Sequence, residues 1–454
     1  MVLKYKVAVV TVFALFVDLL DLTTVNLAIP TLKAEFAASI GVAQLAVTAY
    51  LVTVAAVMPA SGWAADRFGA KRTFLFSLSV FTLGSALCGA AWSMHALIAA
   101  RALQGIGGGL LVPVGMAILF RAFPERERAT ASAIFSVPAA VAPALGPFLG
   151  GILIDVVSWR WIFLINVPIG VVGLGLGFLW LKEDRVERGD ALDARGFILG
   201  ALGFVAVTIA LSFAPEGPLV RPGILIPLLG GILILAAFVQ AELKSAAPLV
   251  DLRLFQGREF AVGNATMFLA SVGFGGLLFA LPLLLQGPHG FSAARAGTVM
   301  ATHAVGIIVT TVLGPKLIRV FGGRVVLSIG LLGSGVSTLA FALTSQATSQ
   351  VLMGLILLVA GGSFGLTVVP LQTAPFRGMD QAQIARGTSI LSVVRQLGVV
   401  IGTAAVAVPL GRMIGTAGFD TAFILAGLLI LVAVPVTALM PSDYRDQAAS
   451  RHTH

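Results

Sequence analysis

The sequence predicts an all-α polytopic membrane protein of about fourteen transmembrane helices, and three features lead there. Hydrophobic residues fill 58% of the 454 positions and charged residues only 11%, a balance that no water-soluble core of this size requires. Apolar stretches long enough to cross a bilayer, about 20 residues each, recur from end to end. The chain also repeats itself. Pro30 has a counterpart in Pro282, Gly62 in Gly314, Gly69 in Gly322, Val112-Pro113 in Val369-Pro370, and Ser136-Val137 with Gly146 in Ser392-Val393 with Gly402. The offsets stay between 252 (Pro30 to Pro282) and 257 (Val112 to Val369) residues, so two six-helix halves flank two inserted helices.

Bounded by charged or Pro/Gly-rich breaks, the spans run in order over 7–29, 41–64, 73–91, 95–119, 130–154, 160–181, 195–213, 222–241, 260–286, 295–315, 324–344, 350–373, 387–410 and 419–440. The first half then covers 1–182, linkers with the two inserted helices 183–258, the second half 259–441, and a tail 442–454. The opening imitates a signal peptide, with Lys4 and Lys6 before an apolar run. That run is too long, is broken by aspartates and lacks a small-residue cleavage site, so it reads as a retained first helix. With the N-terminus inside, only Lys33, Arg160, Arg221, Arg295 and Arg412 of 29 Lys and Arg fall outside, and Arg101 and Arg395 fall within spans. This asymmetry puts both termini in the cytoplasm. It also locates the net charge of +9 in short inner loops facing an anionic leaflet, so the charge carries no argument for nucleic acid. One cysteine, Cys88, excludes an internal disulfide and a cysteine-based metal cage. The Gly-rich run Gly105 to Gly109 lies inside a span and lacks the phosphate-loop pattern; its glycines read as close helix packing.

Ionisable residues inside the spans are the functional candidates. Asp18 and Asp21 stand one turn apart in the first span, on one face, about 4.5 Å apart along the axis. Each carboxylate near the bilayer centre costs roughly 2.5 to 3.5 kcal/mol, so the two persist only beside water, a partner or a proton, and their titrations are coupled. Arg101 lies well inside the fourth span and cannot easily shed its charge; it is expected to pair with a carboxylate or carbonyl and to bias protonation of the aspartates. The corresponding positions of the second half are about Ala270, Gly273 and Leu358, which confines this chemistry to the first half. Arg395 either snorkels inward or meets cargo, and His303 is read as a packing residue or a proton carrier. Asp155 and Arg160 fall at the outer boundary, in contact with headgroups or each other.

Five motifs carry a family resemblance. Leu20-Asp21-Leu22-Thr23-Thr24-Val25-Asn26-Leu27-Ala28-Ile29-Pro30 resembles the first-helix signature of the fourteen-helix drug:proton antiporter branch of the major facilitator superfamily. Gly62-Trp63-Ala64-Ala65-Asp66-Arg67-Phe68-Gly69-Ala70-Lys71-Arg72 resembles the superfamily's loop between helices 2 and 3, and Arg101-Ala102-Leu103-Gln104-Gly105-Ile106-Gly107-Gly108 its helix-4 motif. Gly146-Pro147-Phe148-Leu149-Gly150-Gly151 resembles the helix-5 antiporter motif, and Trp159 to Pro168 a run typical of this branch. Three positions depart from the pattern: Ala142 replaces an earlier glycine, Leu45 a frequent tryptophan, and Asp18 an apolar residue.

The resemblance implies a major facilitator fold and multidrug efflux driven by proton exchange, with Asp21, Asp18 and Arg101 coupling the proton. It implies a cytoplasmic gate of Gly62, Asp66, Arg67, Gly69 and Arg72, in which Asp66 lies near a helix terminus of the other half and the arginines form salt links. Gly146, Pro147, Gly150 and Gly151 would bend the fifth span and bring helices close, while Trp159 to Asn166 would anchor at the interface. A cavity between the halves is expected to take lipophilic, cationic cargo, lined by phenylalanines with Thr24, Asn26, Tyr50, Gln104, Asn264 and His303. No cofactor, metal or enzymatic activity is expected; the proton gradient supplies the energy. The partners are protons, a small-molecule substrate and membrane lipid, with no nucleic acid, for a monomer in a bacterial plasma membrane. An exporter of one endogenous metabolite or lipid, and a proton symporter importing a metabolite, share the same features.

Overall fold

We describe a computed structural model of the chain over residues 3–123, 134, 142, 145–183, 193–214, 221–245, 248, 250–377, 379, 381–413 and 415–440; within 381–389 the side chains described are Gln383, Gly387 and Thr388. The described residues form helices and connecting turns. Thirteen helices are long and apolar enough to cross a membrane, and Leu145–Val156 is a shorter apolar helix within the expected fifth span. The chain is a multi-pass membrane protein. It divides into two compact units, Met1–Ala214 with Pro218–Leu249 and Ser292–Gly297, and Pro215–Gly217 with Val250–Phe291 and Thr298–His454.

The first unit opens with α1 (Leu3–Glu35), α2 (Ile40–Val57), α3 (Ser61–Phe68), α4 (Ala70–Gly89) and α5 (Met94–Ala122). Then follow α6 (Leu145–Val156), α7 (Trp161–Leu164), α8 (Asn166–Trp180), α9 (Ala194–Ser212) and α10 (Pro222–Lys244). The sequence-based boundary at Pro30 is overridden, since α1 continues through it to Glu35, whereas α5 runs through Pro113 as its expected span does. In a low-dielectric surrounding a helix loses less by skipping one bond than by exposing unpaired backbone groups. Pro59, by contrast, sits in a 3-10 turn, Met58–Ala60, that separates α2 from α3 within the expected second span. Val7, Val10 and Ala14 of α1, Phe74 and Leu78 of α4, and Leu111 and Val114 of α5 form one buried cluster. The inserted pair, α9 and α10, packs mainly on itself and presents side chains such as Ile226 and Leu233 outward, as lipid-facing helices do.

The second unit holds α11 (Arg258–Gln286), α12 (Ala293–Phe321, its first turn in the first unit), α13 (Gly323–Ala340), α14 (Gln350–Thr373), α15 (Gln381–Arg412) and α16 (Ala417–Thr437). Here α11 is central, packed on α15 and α16, with Met267, Ala270, Leu327, Leu331 and Ile430 in the core. The internal repeat has a backbone expression: Gly69 ahead of α4 has φ +92° and Gly322 ahead of α13 has φ +84°. Both corners need a conformation that a Cβ disfavours.

Candidate functional site

Close packing around α5 creates the site. A Cβ on Gly105 would lie 2.7 Å from the Tyr50 carbonyl oxygen, and one on Gly107 2.6 Å from that of Ser77, so only glycine lets α2 and α4 seat this tightly. This approach brings Asp21 of α1, Tyr50 of α2 and Phe163 of α7 around Arg101, which is 1% exposed. Its Nε donates to the Ala46 carbonyl at 2.9 Å, and its Nη1 donates to Asp21 Oδ2 and, at 2.6 Å, to Gln104 Oε1. The Tyr50 ring covers the guanidinium, 4.2 Å from centroid to Cζ.

Asp21 is fully buried, and its partners among the described residues are all nitrogen donors. Besides Arg101 these are Gln104 Nε2 and Asn166 Nδ2, each 3.0 Å from Oδ1. Gln104 Nε2 also donates to Ser85 Oγ at 2.7 Å, and the Cys88 thiol lies 3.6 Å from Gln104 Oε1. Asp18, one turn earlier, accepts instead from the Tyr50 hydroxyl of α2. Gly108 makes room for this pair, since a Cβ there would lie 2.7 Å from Asp18 Oδ1 and 3.0 Å from Tyr50 Cζ. The cluster therefore holds one permanent cation and two carboxyl groups. With both acids ionised it carries an excess negative charge in a buried place; one proton or one bound cation neutralises it.

Sequence reasoning missed Asn166. Its run was expected to anchor at the interface, yet Asn166 is fully buried against Asp21, and Trp159, 2% exposed, packs on Phe36 and Phe163 and donates to Glu35. A lone amide among apolar residues was the available signal; its direction was not legible. The boundary pair is also corrected. Asp155 and Arg160 do not meet: Arg160 pairs with Glu35 at 2.9 Å, and Asp155 accepts the backbone N–H groups of Ala293 and Ala294 at 3.1 and 2.7 Å, capping α12.

The residues expected to line a cavity are dispersed. Tyr50 and Gln104 are fully buried within the acid cluster, and Thr24 Oγ1 bonds the Asp21 carbonyl at 3.2 Å. Asn26 and Asn264 are buried and bond carbonyls of their own helices, Leu22 at 3.4 Å and Phe260 at 2.8 Å. His303 in the second unit stacks on Phe274, which stacks on Phe364, with centroids 5.9 and 4.3 Å apart. Among the expected gate residues, Gly62, Asp66, Arg67 and Arg72 are exposed. Asp66 lies 4.0 Å from Arg121 and Arg72 lies 3.3 Å from Glu183. On α6, Gly146 faces Thr23, Gly150 faces Thr24, Gly151 faces Ala293 and Ala294, and the Pro147 backbone lies against Gly297. Arg395 on α15 is exposed.

Residues 11–403 match the model of the Major Facilitator Superfamily. The multidrug resistance protein B homolog of Mycobacterium tuberculosis is 35% identical over 407 residues, 89% of this chain and 75% of its own. A Yersinia enterocolitica protein provisionally named multidrug resistance protein MdtD is 33% identical over 441 residues, 95% and 93% of the two chains. Among solved structures the human organic anion transporter MFSD10 (TETRAN) is similar in fold, with TM-score 0.64 and 18% identity over 96% of this chain and 99% of its own.

Proposed function

The chain belongs to the major facilitator superfamily, as a membrane transporter and not an enzyme, and from that premise we propose that it exports lipophilic, cationic compounds in exchange for protons by alternating access. The observation that carries this reading is the uneven charge of the buried cluster: Arg101 balances one of Asp18 and Asp21 and leaves the other over. A cationic compound and a proton each supply the missing charge, and burial makes that charge costly to leave uncompensated. Cargo binds from the cytoplasm or inner leaflet while both acids are ionised. When the site opens outward, a proton displaces the cargo and neutralises the cluster, which makes the return permissible; the proton leaves inside. Two relatives that carry the name of multidrug resistance proteins support a drug as the cargo.

The test is pH-gradient-driven transport of a fluorescent lipophilic cation in proteoliposomes. Wild type is expected to respond to the gradient, and Asp21→Asn and Asp18→Asn, which each remove the excess charge, are expected to lose that response. Full gradient-driven transport in Asp21→Asn, or none in wild type, overturns the reading.

A further inference from the structure

Proton exchange, as read above, needs one acid that passes between two forms without dismantling its surroundings, and the two aspartates differ in this respect. Among the described residues both oxygens of Asp21 face donors only: Arg101 Nη1, Gln104 Nε2 and Asn166 Nδ2. A proton on Asp21 would point an O–H at N–H groups, and the carbonyl oxygen of its partner Gln104 is already held by Arg101 at 2.6 Å. It would also leave the buried guanidinium without its counter-ion. Asp18 has a single hydrogen-bond partner among the described residues, and that partner is a hydroxyl. A phenol both donates and accepts. It bonds the ionised carboxylate as donor and the protonated carboxyl as acceptor, so the pair survives either form.

Among the described residues the helices packed on α1 hold no competing titratable group at Asp18. From α2 comes Tyr50, from α5 Arg101, and from α1 itself Asp21; α4 contributes Cys88 only through Gln104. Among the described residues α7 and α8 carry no titratable side chain and contribute the Asn166 amide. Asp155 on α6 is held by the backbone amides that open α12, and Arg295 of that turn is exposed. Tyr50 links the two acids, its hydroxyl on Asp18 and its ring over the Arg101 that binds Asp21.

We infer that Asp18 takes up and releases the coupling proton, with Tyr50 as its partner in both forms, Gly108 as the residue that makes room for the pair, and Asp21 as the fixed anion that holds Arg101. The assignment rests on the antiport reading and specifies which acid performs it. In the exchange no covalent bond between heavy atoms changes: the proton from the outer solution joins an Asp18 carboxylate oxygen as cargo leaves, and returns to water on the inner side as new cargo binds.

Infrared difference spectroscopy on the full-length protein in lipid tests the assignment through the carbonyl band of protonated carboxyl groups. On acidification, wild type is expected to gain a buried carboxyl band. That band should vanish in Asp18→Asn, return in Asp18→Glu, shift in Tyr50→Phe and stay in place in Asn166→Ala. A band that survives Asp18→Asn and ignores Tyr50→Phe but moves in Asn166→Ala makes Asp21 the carrier and overturns the inference while the antiport reading stands. Added tetraphenylphosphonium is expected to discharge the wild-type band at constant pH. A band assigned to Asp18 that ignores this cation removes the competition between proton and cargo, and so overturns both the antiport reading and the coupling role of Asp18.

Discussion

Arg101 satisfies at one point what a lysine would split. Its planar fork reaches the Ala46 carbonyl, Asp21 and Gln104 together while its face takes the Tyr50 ring. Arg101→Ala leaves Asp21 buried without its cation, and a loss of about 3–5 kcal/mol is expected, read as a large drop in thermal unfolding temperature in detergent. Asn166→Ala removes one of three donors to a charged acceptor and is expected to cost about 1.5–3 kcal/mol in the same measurement. For Gly108→Ala the added Cβ meets the Asp18 carboxylate and the Tyr50 ring, so a penalty of about 1–3 kcal/mol is expected together with loss of gradient-driven transport. Asp18, Asp21 and Arg101 were legible in the sequence because charge inside an apolar span is conspicuous. Asn166 was not, because a neutral amide gives no such contrast and the tryptophans near it drew the reading to the interface.

Helix boundaries show where local rules yield to the surroundings. Pro30 bounds the first span in the sequence reading, yet the helix runs through it to Glu35, because buried backbone has no water to turn to. Gly69 obeys the local rule: with φ +92° it makes the corner between α3 and α4, and a Cβ would also meet the Glu183 side chain. Gly69→Ala is expected to cost about 1–3 kcal/mol of stability from backbone strain, with Gly322→Ala behaving alike, both measured by thermal unfolding. The exposed Arg72–Glu183 and Asp66–Arg121 pairs each contribute at most about 1 kcal/mol, so any larger effect of their mutation on transport rate comes from function rather than folding. The cap of α12 by Asp155 joins elements 138 residues apart in sequence, a contact that no local pattern announces.

For the whole molecule, the distribution of Lys and Arg predicts that Arg72 faces the cytoplasm and Trp92 the outside. The native Cys88 is buried, so cysteines introduced at these two exposed positions are expected to label with a membrane-impermeant maleimide from opposite sides of oriented vesicles. Labelling of both from one side would overturn the topology. What the sequence determined by itself was the helical membrane architecture and its family, because hydrophobic length, charge placement and glycine–proline motifs are written residue by residue along the chain. Only the tertiary structure decided which polar groups meet: Tyr50 on Asp18, three nitrogen donors on Asp21, and Asp155 on the amides of α12. The physical reason is that a helix's sequence shows what each face carries, whereas the partner of a buried charge depends on how closely neighbouring helices approach and at what rotation, and here the glycines of α5 set that approach.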